Sequence, residues 1–349
     1  PDDAVEAMLS VVRDNREVFQ DYFRLKAKWL GLEKMSRYHI YAPLEKEESK
    51  VSFNDAAKIV LDTLNAFSPE ISRCAKMVFD KQHVHAVLGK NKQSGAYCYS
   101  VTPQDIPYVL LNYTERMDDV ITMAHEMGHA VHSLLARNNT IFTFHAPIPF
   151  AETASVFGEL ITTHRLIENE KSPALKKHLL AGKLDDVYAT VMRQCYFTVF
   201  EQKAHELIQD GATIKDLQDV YYKQLNEQFG DMVIPKEFQF EWLYIPHIFH
   251  TPFYCYGYSF GNLLTFSLYQ RYREEGQSFV PKYLKLLSYG GSEEPEKILQ
   301  ELDMDMTKKE FWQKVEGYDP GWDPYGSNCD SDFEYKAMLA GIPLQQYHG

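Results

Sequence analysis

The sequence predicts a mainly α-helical fold with a small β-sheet beside one central helix. Apolar residues recur at helical spacing through most of residues 4–316. A stretch punctuated by glycines, residues 89–113, breaks that period with short alternating and β-branched runs. Residues 120–135 form one apolar helix that nevertheless carries three histidines and a glutamate. These three observations define the fold class and direct attention to the central helix.

The chain is predicted to open with helices. Residues 4–32 have the apolar period of one long or two short amphipathic helices. Ser52 is a suitable N-cap for the next helix, whose sequence is FNDAAKIVLDTLNAF. The N-terminal third is therefore expected to contain helices before any strand appears.

Two short strands are expected in the interrupted stretch. Tyr97 and Tyr99 alternate around Cys98, and residues 107–113 form a β-branched and aromatic run that ends in a turn. Gly89 and the glycine before Ala96 do not make a phosphate-binding loop, because the lysine and hydroxyl residue that such a loop needs are absent.

The central helix is predicted to begin at Asp118 or Asp119, since an acidic cap suits the positive end of a helix. A proline-marked loop separates it from the next helix. The remaining helical regions are predicted at 150–168, 172–230 and 257–316.

The periodicity divides the chain into a helical domain, residues 1–316, and a tail, residues 317–349. The tail is rich in Gly, Asp and Tyr and has no helical or strand period. We assign it no role.

Composition and charge exclude several classes of function. The formal net charge of −13 argues against nucleic acid and anionic membranes as partners, because both require clustered Lys and Arg. Five cysteines at irregular spacings fit reduced thiols in the cytoplasm better than a disulfide framework. No signal-peptide pattern or apolar run long enough to span a membrane is present. The chain begins with Pro1, so we expect a piece of a longer protein.

The central helix carries a metal-binding pattern, His125-Glu126-x-x-His129. On a helix these histidines lie about 40° apart and about 6 Å along the axis, so both imidazoles can reach one ion. Glu126 points about 100° away, where a carboxylate reaches a water on that ion rather than the ion itself. The pattern predicts a zinc site with Glu126 as general base.

The third ligand must come from another segment, because the position that supplies it in the HExxHxxGxxH pattern is Leu135. Glu152 and Glu159 lie on the following helix, and one can bind the metal while the other holds a ligand histidine. A solvent-exposed position or a salt bridge is an equally good interpretation of Glu159. His132 is expected to hydrogen-bond the neighbouring loop rather than bind the ion.

With these residues in place, the sequence resembles the oligoendopeptidase F branch of the thimet oligopeptidase family of zinc metallopeptidases. The resemblance extends in order over most of residues 50–316. Its segments are GKNKQSGAYCYS, PYVLLNYTERMDDVITMAHEMGHAVHSLL, PFAETASVFGEL, IPHIFHTPFYCYGYSFGNLL and LLSYGGSEEPEKILQELDMDM. It implies a zincin-type catalytic domain with one zinc ion on His125, His129 and Glu152. It further implies Glu126 as base and Glu159 in support of a ligand histidine.

The resemblance also implies that a later histidine and tyrosines line the cleft and stabilise the tetrahedral oxyanion. We favour His247 and Tyr258 for this role. Packing in the core is the ordinary interpretation of such an aromatic run. The further substrate-contacting candidates are Tyr254, Tyr256, His250 and Tyr108, the last on a strand to which an extended peptide could add.

The implied function is hydrolysis of internal bonds in short, unstructured peptides. Two alternatives stay open at the level of sequence: a peptidyl-dipeptidase or carboxypeptidase of a related HExxH family, and a catalytically silent zinc- or peptide-binding fragment. Retention of Glu126 argues against the second, because a structural zinc site needs no base. Family members carry a further N-terminal helical part, which we expect to be missing or supplied by another chain. The oligomeric state is not predicted.

Overall fold

The structure, a computed structural model, describes residues 2–44 and 50–315. These residues form two compact units. The first contains residues 2–44, 172–260 and 307–315, and the second contains residues 50–171 and 261–306. The predicted tail at 317–349 lies outside the described residues.

Most of the described chain is helical. The helices of the first unit are α1 (Asp2–Asp14), α2 (Arg16–Trp29), α8 (Pro173–Val187), α9 (Arg193–Gln209), α10 (Ile214–Phe229), α11 (Pro246–His250) and α15 (Lys309–Val315). Those of the second are α3 (Phe53–Phe67), α4 (Pro69–Asp80), α5 (Met117–Leu135), α6 (Ile148–Ala151), α7 (Thr153–Asn169), α13 (Val280–Ser288) and α14 (Pro295–Gln300). The remaining helix, α12 (Tyr256–Glu275), contributes its first residues to the first unit and the rest to the second. The predicted mainly helical class is confirmed.

The first unit has an aromatic core. Its opening region forms two helices rather than one, with the break at Asn15. A π-helical turn, Tyr188–Met192, joins α8 to α9 without interrupting the chain of helical residues. The rings of Phe23, Tyr188 and Phe229 lie 5.2–5.7 Å apart at this point. Aromatic rings in contact prefer tilted or edge-on arrangements, and all three of these pairs adopt one of them.

The second unit begins as predicted, since Ser52 caps α3 by accepting a hydrogen bond from the amide of Asp55. The sheet contains β1 (Val84–His85), β2 (Tyr97–Tyr99) and β3 (Tyr108–Leu110) in the order β1-β3-β2. β1 and β3 are parallel, whereas β2 and β3 are antiparallel. Both predicted strands are confirmed. β1 was not predicted, because two residues are too few to show a period.

The central helix begins earlier than predicted. α5 starts at Met117, with Arg116 in the cap position, so neither Asp118 nor Asp119 is the cap. The carboxylate of Asp119 instead folds back from the first turn and accepts hydrogen bonds from the amides of Thr114 and Arg116. The favourable placement of acid at the helix N-terminus is preserved, within the first turn rather than at the cap.

The helix predicted from Phe150 is in fact two helices, α6 and α7, separated by Glu152. This residue has φ −92° and ψ 0°, in the bridge region that often contains active-site residues. Within the part of the chain that the structure describes, no helix is long and apolar enough to cross a membrane.

Candidate active site

Two histidine side chains stand side by side on α5. His125 and His129 are one turn apart, and their ring centroids are separated by 5.0 Å with the planes nearly perpendicular. Each side chain retains 26% of its exposure although the helix around it is largely buried. The imidazoles therefore open onto an accessible space rather than into the core.

The carboxylate of Glu152 meets both histidines. Its Oε2 atom lies 3.4 Å from Nε2 of His125 and 3.3 Å from Nε2 of His129. One nitrogen or oxygen atom from each of the three residues lies within 4.8 Å of the others. Two imidazole nitrogens and a carboxylate oxygen form the donor set that catalytic zinc sites use, with a further position left open. The geometry thus separates Glu152 from Glu159 as the residue nearest both histidines.

Glycines allow the helices that carry these groups to approach closely. A Cβ at Gly128 of α5 would lie 2.3 Å from the carbonyl oxygen of Ala154, and one at Gly158 of α7 would lie 2.9 Å from that of Ala124. Gly261 likewise leaves room for Glu152, whose Cβ would be 3.2 Å from a Cβ at that position. Because these contacts are with backbone or with the glutamate itself, any side chain would move Glu152 relative to the histidines.

Two more side chains orient the cluster. Glu159 Oε2 lies 3.1 Å from His125 Nδ1, which turns the other ring nitrogen of His125 toward Glu152. The hydroxyl of Ser155 donates to Glu152 Oε2 at 2.7 Å and to the Glu152 carbonyl oxygen at 3.0 Å. Ser155 was not among the residues predicted from the sequence. Its position three residues after Glu152, at the start of a helix, was the signal that could have revealed it.

Charge is strongly coupled within the cluster. Burial opposes protonation of His125, but its hydrogen bonds to Glu152 and Glu159 outweigh this effect and raise its pKa to about 10. Burial alone would raise the pKa of Glu152. The hydrogen bonds and charge of the two histidines outweigh this effect and hold the pKa of that carboxyl well below its usual range. In the protein without a cation, positive charge on the His125 imidazole is thus balanced by the carboxylates of Glu152 and Glu159.

Glu126 occupies a different environment from the three clustered residues. It is 6% exposed, and its Oε2 atom is buried without a hydrogen-bond partner among the described residues. The amide of Cys98 in β2 donates to the carboxylate, while burial raises the pKa of Glu126. A buried carboxylate oxygen with no partner requires a donor, and a water or a substrate group beside the cluster would supply it.

His132 lies one turn beyond His129 and is 7% exposed. Burial lowers its pKa to about 4, so the imidazole is neutral at physiological pH. Its expected hydrogen bond to the loop stays a prediction.

A second group of polar aromatic residues lies in the first unit. Nε2 of His247, in α11, lies 3.2 Å from the phenol oxygen of Tyr258, in α12. The ring of Tyr254 stacks on that of His247, with centroids 5.5 Å apart. Tyr254 and Tyr258 also contact edge-on at 5.3 Å. His250 is exposed, and Tyr256 opens α12 half-buried and outside this stacked group. Of the six predicted oxyanion and substrate residues, the structure therefore brings three together: His247, Tyr254 and Tyr258.

The strand that carries Tyr108 is not at an edge of the sheet. β3 lies between β1 and β2, so the prediction that a peptide could add to it is wrong at residues 109–110, where both sides are paired. Tyr108 itself is half-exposed and stacks on His83 at 4.0 Å. The edge strand that touches Glu126 is β2, through the amide of Cys98.

Residues 1–317 match the sequence model of peptidase family M3. The chain is 33% identical over 309 residues to an oligoendopeptidase F homolog of Borreliella burgdorferi, a match that covers 86% of this chain and 52% of that protein. It is 29% identical over 321 residues to oligopeptidase PepF of Bacillus subtilis, covering 89% of this chain and 47% of the relative. The chain thus spans about half the length of these curated relatives.

Solved structures show the same architecture. A crystal structure from Chlamydophila abortus shares 30% sequence identity with a TM-score of 0.81, covering 90% of this chain and 53% of that one. Oligoendopeptidase-F from Enterococcus faecium has a TM-score of 0.69 at 23% identity, covering 98% of this chain and 52% of that one. At that identity the second comparison supports the fold alone. The family resemblance found in the sequence is confirmed.

Proposed function

Because the chain belongs to peptidase family M3, we propose that it acts as a metal-dependent endopeptidase on internal bonds of short, unstructured oligopeptides. The observation that carries the proposal is the convergence of His125, His129 and Glu152 beside a buried carboxylate with an unpartnered oxygen. The names of the relatives, oligoendopeptidase and oligopeptidase, agree with this substrate class.

His125, His129 and Glu152 would hold the cation, which we propose to be one zinc ion per chain. Their nitrogen and oxygen donors suit zinc, and the buried unpartnered oxygen of Glu126 fits a site that admits water. Bound there, the cation would polarise the scissile carbonyl and acidify the attacking water. Glu159 and Ser155 would keep the ligand atoms in register through their hydrogen bonds to His125 and Glu152.

Glu126 would move the proton. Its carboxylate would accept a proton from the attacking water as the carbon–oxygen bond forms, and would deliver it to the leaving amine nitrogen as the carbon–nitrogen bond breaks. Burial raises the pKa of this carboxyl, which makes the carboxylate a stronger base for the first transfer. The amide of Cys98 keeps the carboxylate oriented during both transfers.

The edge strand β2 would align the substrate backbone. In a strand, the N–H and C=O of one residue point to the same side. The carbonyl of Cys98 therefore points to the same edge of β2 as the Cys98 amide, which binds Glu126. An extended peptide would donate an N–H to this carbonyl and add to the sheet as a further strand.

His247 and Tyr258 would stabilise the oxyanion, as the family pattern implies. Their contact at 3.2 Å supports a paired role, because fixed donors of this kind lower the barrier where negative charge develops. Tyr254, Tyr256, His250 and Tyr108 are proposed to contact substrate side chains. A cytoplasmic location is part of the proposal, supported by the free thiols of Cys74, Cys98 and Cys255.

The decisive experiment is hydrolysis of a quenched fluorescent peptide blocked at both ends, with bound metal counted by elemental analysis. The parent chain, Glu126→Gln and the control Glu70→Gln would be compared, because Glu70 is an exposed glutamate that pairs with Arg73 of its own helix. We expect internal cleavage by the parent and the control. Glu126→Gln should retain its metal and lose activity by about 10²–10⁴-fold, the usual contribution of a general base.

Other outcomes would identify the alternatives. Cleavage only of peptides with a free C-terminus would favour the peptidyl-dipeptidase or carboxypeptidase class. A bound metal without any cleavage would favour a binding fragment.

A further inference from the structure

A second buried glutamate, Glu201 of α9, lies outside the proposed chemistry. Its side chain is fully buried, and one carboxylate oxygen accepts a hydrogen bond from the amide of Phe253 at 2.8 Å. The other oxygen is buried without a partner among residues 2–44 and 50–315. Burying a carboxylate is unfavourable unless it is well paired, and among the described residues a single backbone amide donates a hydrogen bond to Glu201. A residue retained at this cost calls for a function beyond packing.

The amide that Glu201 binds belongs to a backbone in an unusual conformation. Phe253 has φ +58°, in the left-handed region that residues other than glycine seldom adopt. The Phe253 ring also packs on His205, one turn after Glu201 on the same helix, with ring centroids 4.9 Å apart. Such a conformation persists only where surrounding groups determine it, and α9 supplies both of these contacts.

The turn at Phe253 joins the two segments that carry the proposed oxyanion donors. Before it, the amide of Thr251 donates to the carbonyl oxygen of His247 at 3.0 Å. After it, the amide of Tyr258 donates to the carbonyl oxygen of Cys255 at 3.3 Å. A change in the backbone at Phe253 would therefore alter the position of His247 relative to Tyr258.

The far end of this segment is anchored independently. The buried hydroxyl of Ser259 donates to the carbonyl oxygen of Val191 at 2.9 Å, which ties the start of α12 to the π-helical turn before α9. Because α12 is already held, the chain leading into it is the part whose position depends on Glu201.

We propose that Glu201 is a positioning residue: by binding the amide of Phe253 it fixes the left-handed turn, and with it the mutual arrangement of His247 and Tyr258. This inference rests on the proposed function, which assigns the oxyanion to those two donors. Glu201 touches neither the substrate nor the reacting atoms.

The test uses the metal-loaded chain and three variants. Glu201→Ala removes the acceptor, Glu201→Gln keeps a carbonyl oxygen that can accept the same amide, and Thr198→Ala is the control. Thr198 is buried on the same helix, and its hydroxyl donates to the carbonyl of Gln194 within that helix. The measurements are kcat and KM on the blocked peptide, bound metal, Tm, and hydrogen exchange of the peptide containing residues 251–256.

We expect Glu201→Ala to lower kcat by about 10²-fold, because a displacement near 1 Å in a reacting group has that effect. KM and metal content should change little. Exchange at 251–256 should accelerate in Glu201→Ala and not in Thr198→Ala, while Glu201→Gln should retain most of kcat.

A double-mutant comparison separates positioning from general stability. In a background of His247→Phe with Tyr258→Phe, the donors that Glu201 positions are gone, so Glu201→Ala should lower kcat further by less than about threefold. An equal loss in both backgrounds, or an unchanged exchange rate at 251–256, would overturn the proposal. If the parent cleaves no peptide, the proposed function fails. Hydrogen exchange at 251–256 still decides whether Glu201 holds the turn, so the two failures can be distinguished.

Discussion

Gly128 of α5 lies directly against the backbone of Ala154, so closely that a Cβ on the glycine would be 2.3 Å from the alanine carbonyl oxygen. Ala154 follows Glu152 by two residues, and His129 follows Gly128. The contact between these two small residues therefore sets the separation between the carboxylate and imidazole donors of the candidate metal centre. Gly158 repeats the arrangement one turn further along, against the backbone of Ala124.

Gly128→Ala should force α5 and α7 apart, because the clash is with backbone atoms that cannot rotate away. We expect a loss of about 1–3 kcal/mol in the free energy of unfolding, together with weaker metal binding. Denaturant titration and metal titration measure the two effects. The control is Gly182→Ala on α8, where a Cβ would meet nothing within 4 Å, so helix propensity should leave it neutral or more stable. Equal metal affinity in Gly128→Ala and the parent would contradict the role given to this contact.

Ser155→Ala removes the hydroxyl that donates to Glu152 Oε2. Because groups that orient a metal ligand usually contribute 10–100-fold to affinity, we expect metal affinity to fall by about that factor with little change in fold. Competition with a chelator of known affinity measures the change. Ser72→Ala is a matched control, since its hydroxyl donates to the carbonyl of Leu61 and not to a ligand. A variant that binds metal as tightly as the control would show that Glu152 needs no such support.

Tyr258→Phe keeps the ring that packs on Tyr254 and removes only the phenol oxygen near His247. If this oxygen stabilises the oxyanion, kcat should fall by about 10²–10³-fold while KM changes little, because the interaction is made in the transition state. Steady-state kinetics on the blocked peptide separate the two constants. Tyr244→Phe, an exposed tyrosine at 86% of full exposure, is the control. A rise in KM at constant kcat would assign Tyr258 to ground-state binding instead.

Glu201 should make stability depend on pH. Burial raises the pKa of this carboxyl above the value of about 4.3 expected in the unfolded chain. The Phe253 amide and His205 act to lower this pKa, but the effect of burial is larger. The folded state thus binds the extra proton between the two pKa values, so its stability falls as the pH rises through that window.

Glu201→Gln cannot titrate, so the difference in unfolding free energy between this variant and the parent should grow in favour of the variant as the pH rises through the same window. Urea unfolding at a series of pH values measures it. A difference that stays constant with pH would show that Glu201 titrates normally in the folded chain.

Local patterns in the sequence were sufficient to predict the fold class, the family and the helix that carries His125, Glu126 and His129. Each depends on residues close together in the chain, where helical spacing or a cap is decided by near neighbours. The same reasoning located β2 and β3 but missed β1, and it misplaced the start of α5 by confusing an acid in the first turn with an acid at the cap.

What the sequence by itself determined was the set of available donors, the spacing that puts two imidazoles on one face of a helix, and the presence of a base beside them. The tertiary structure decided which glutamate faces both imidazoles, because that depends on how closely α7 packs on α5, and two glycines control the distance. It also decided that β3 is central and that Glu201 reaches the amide of Phe253, 52 residues away in the chain. These relationships are distances between segments remote in sequence, and only the packing of the folded chain determines such distances.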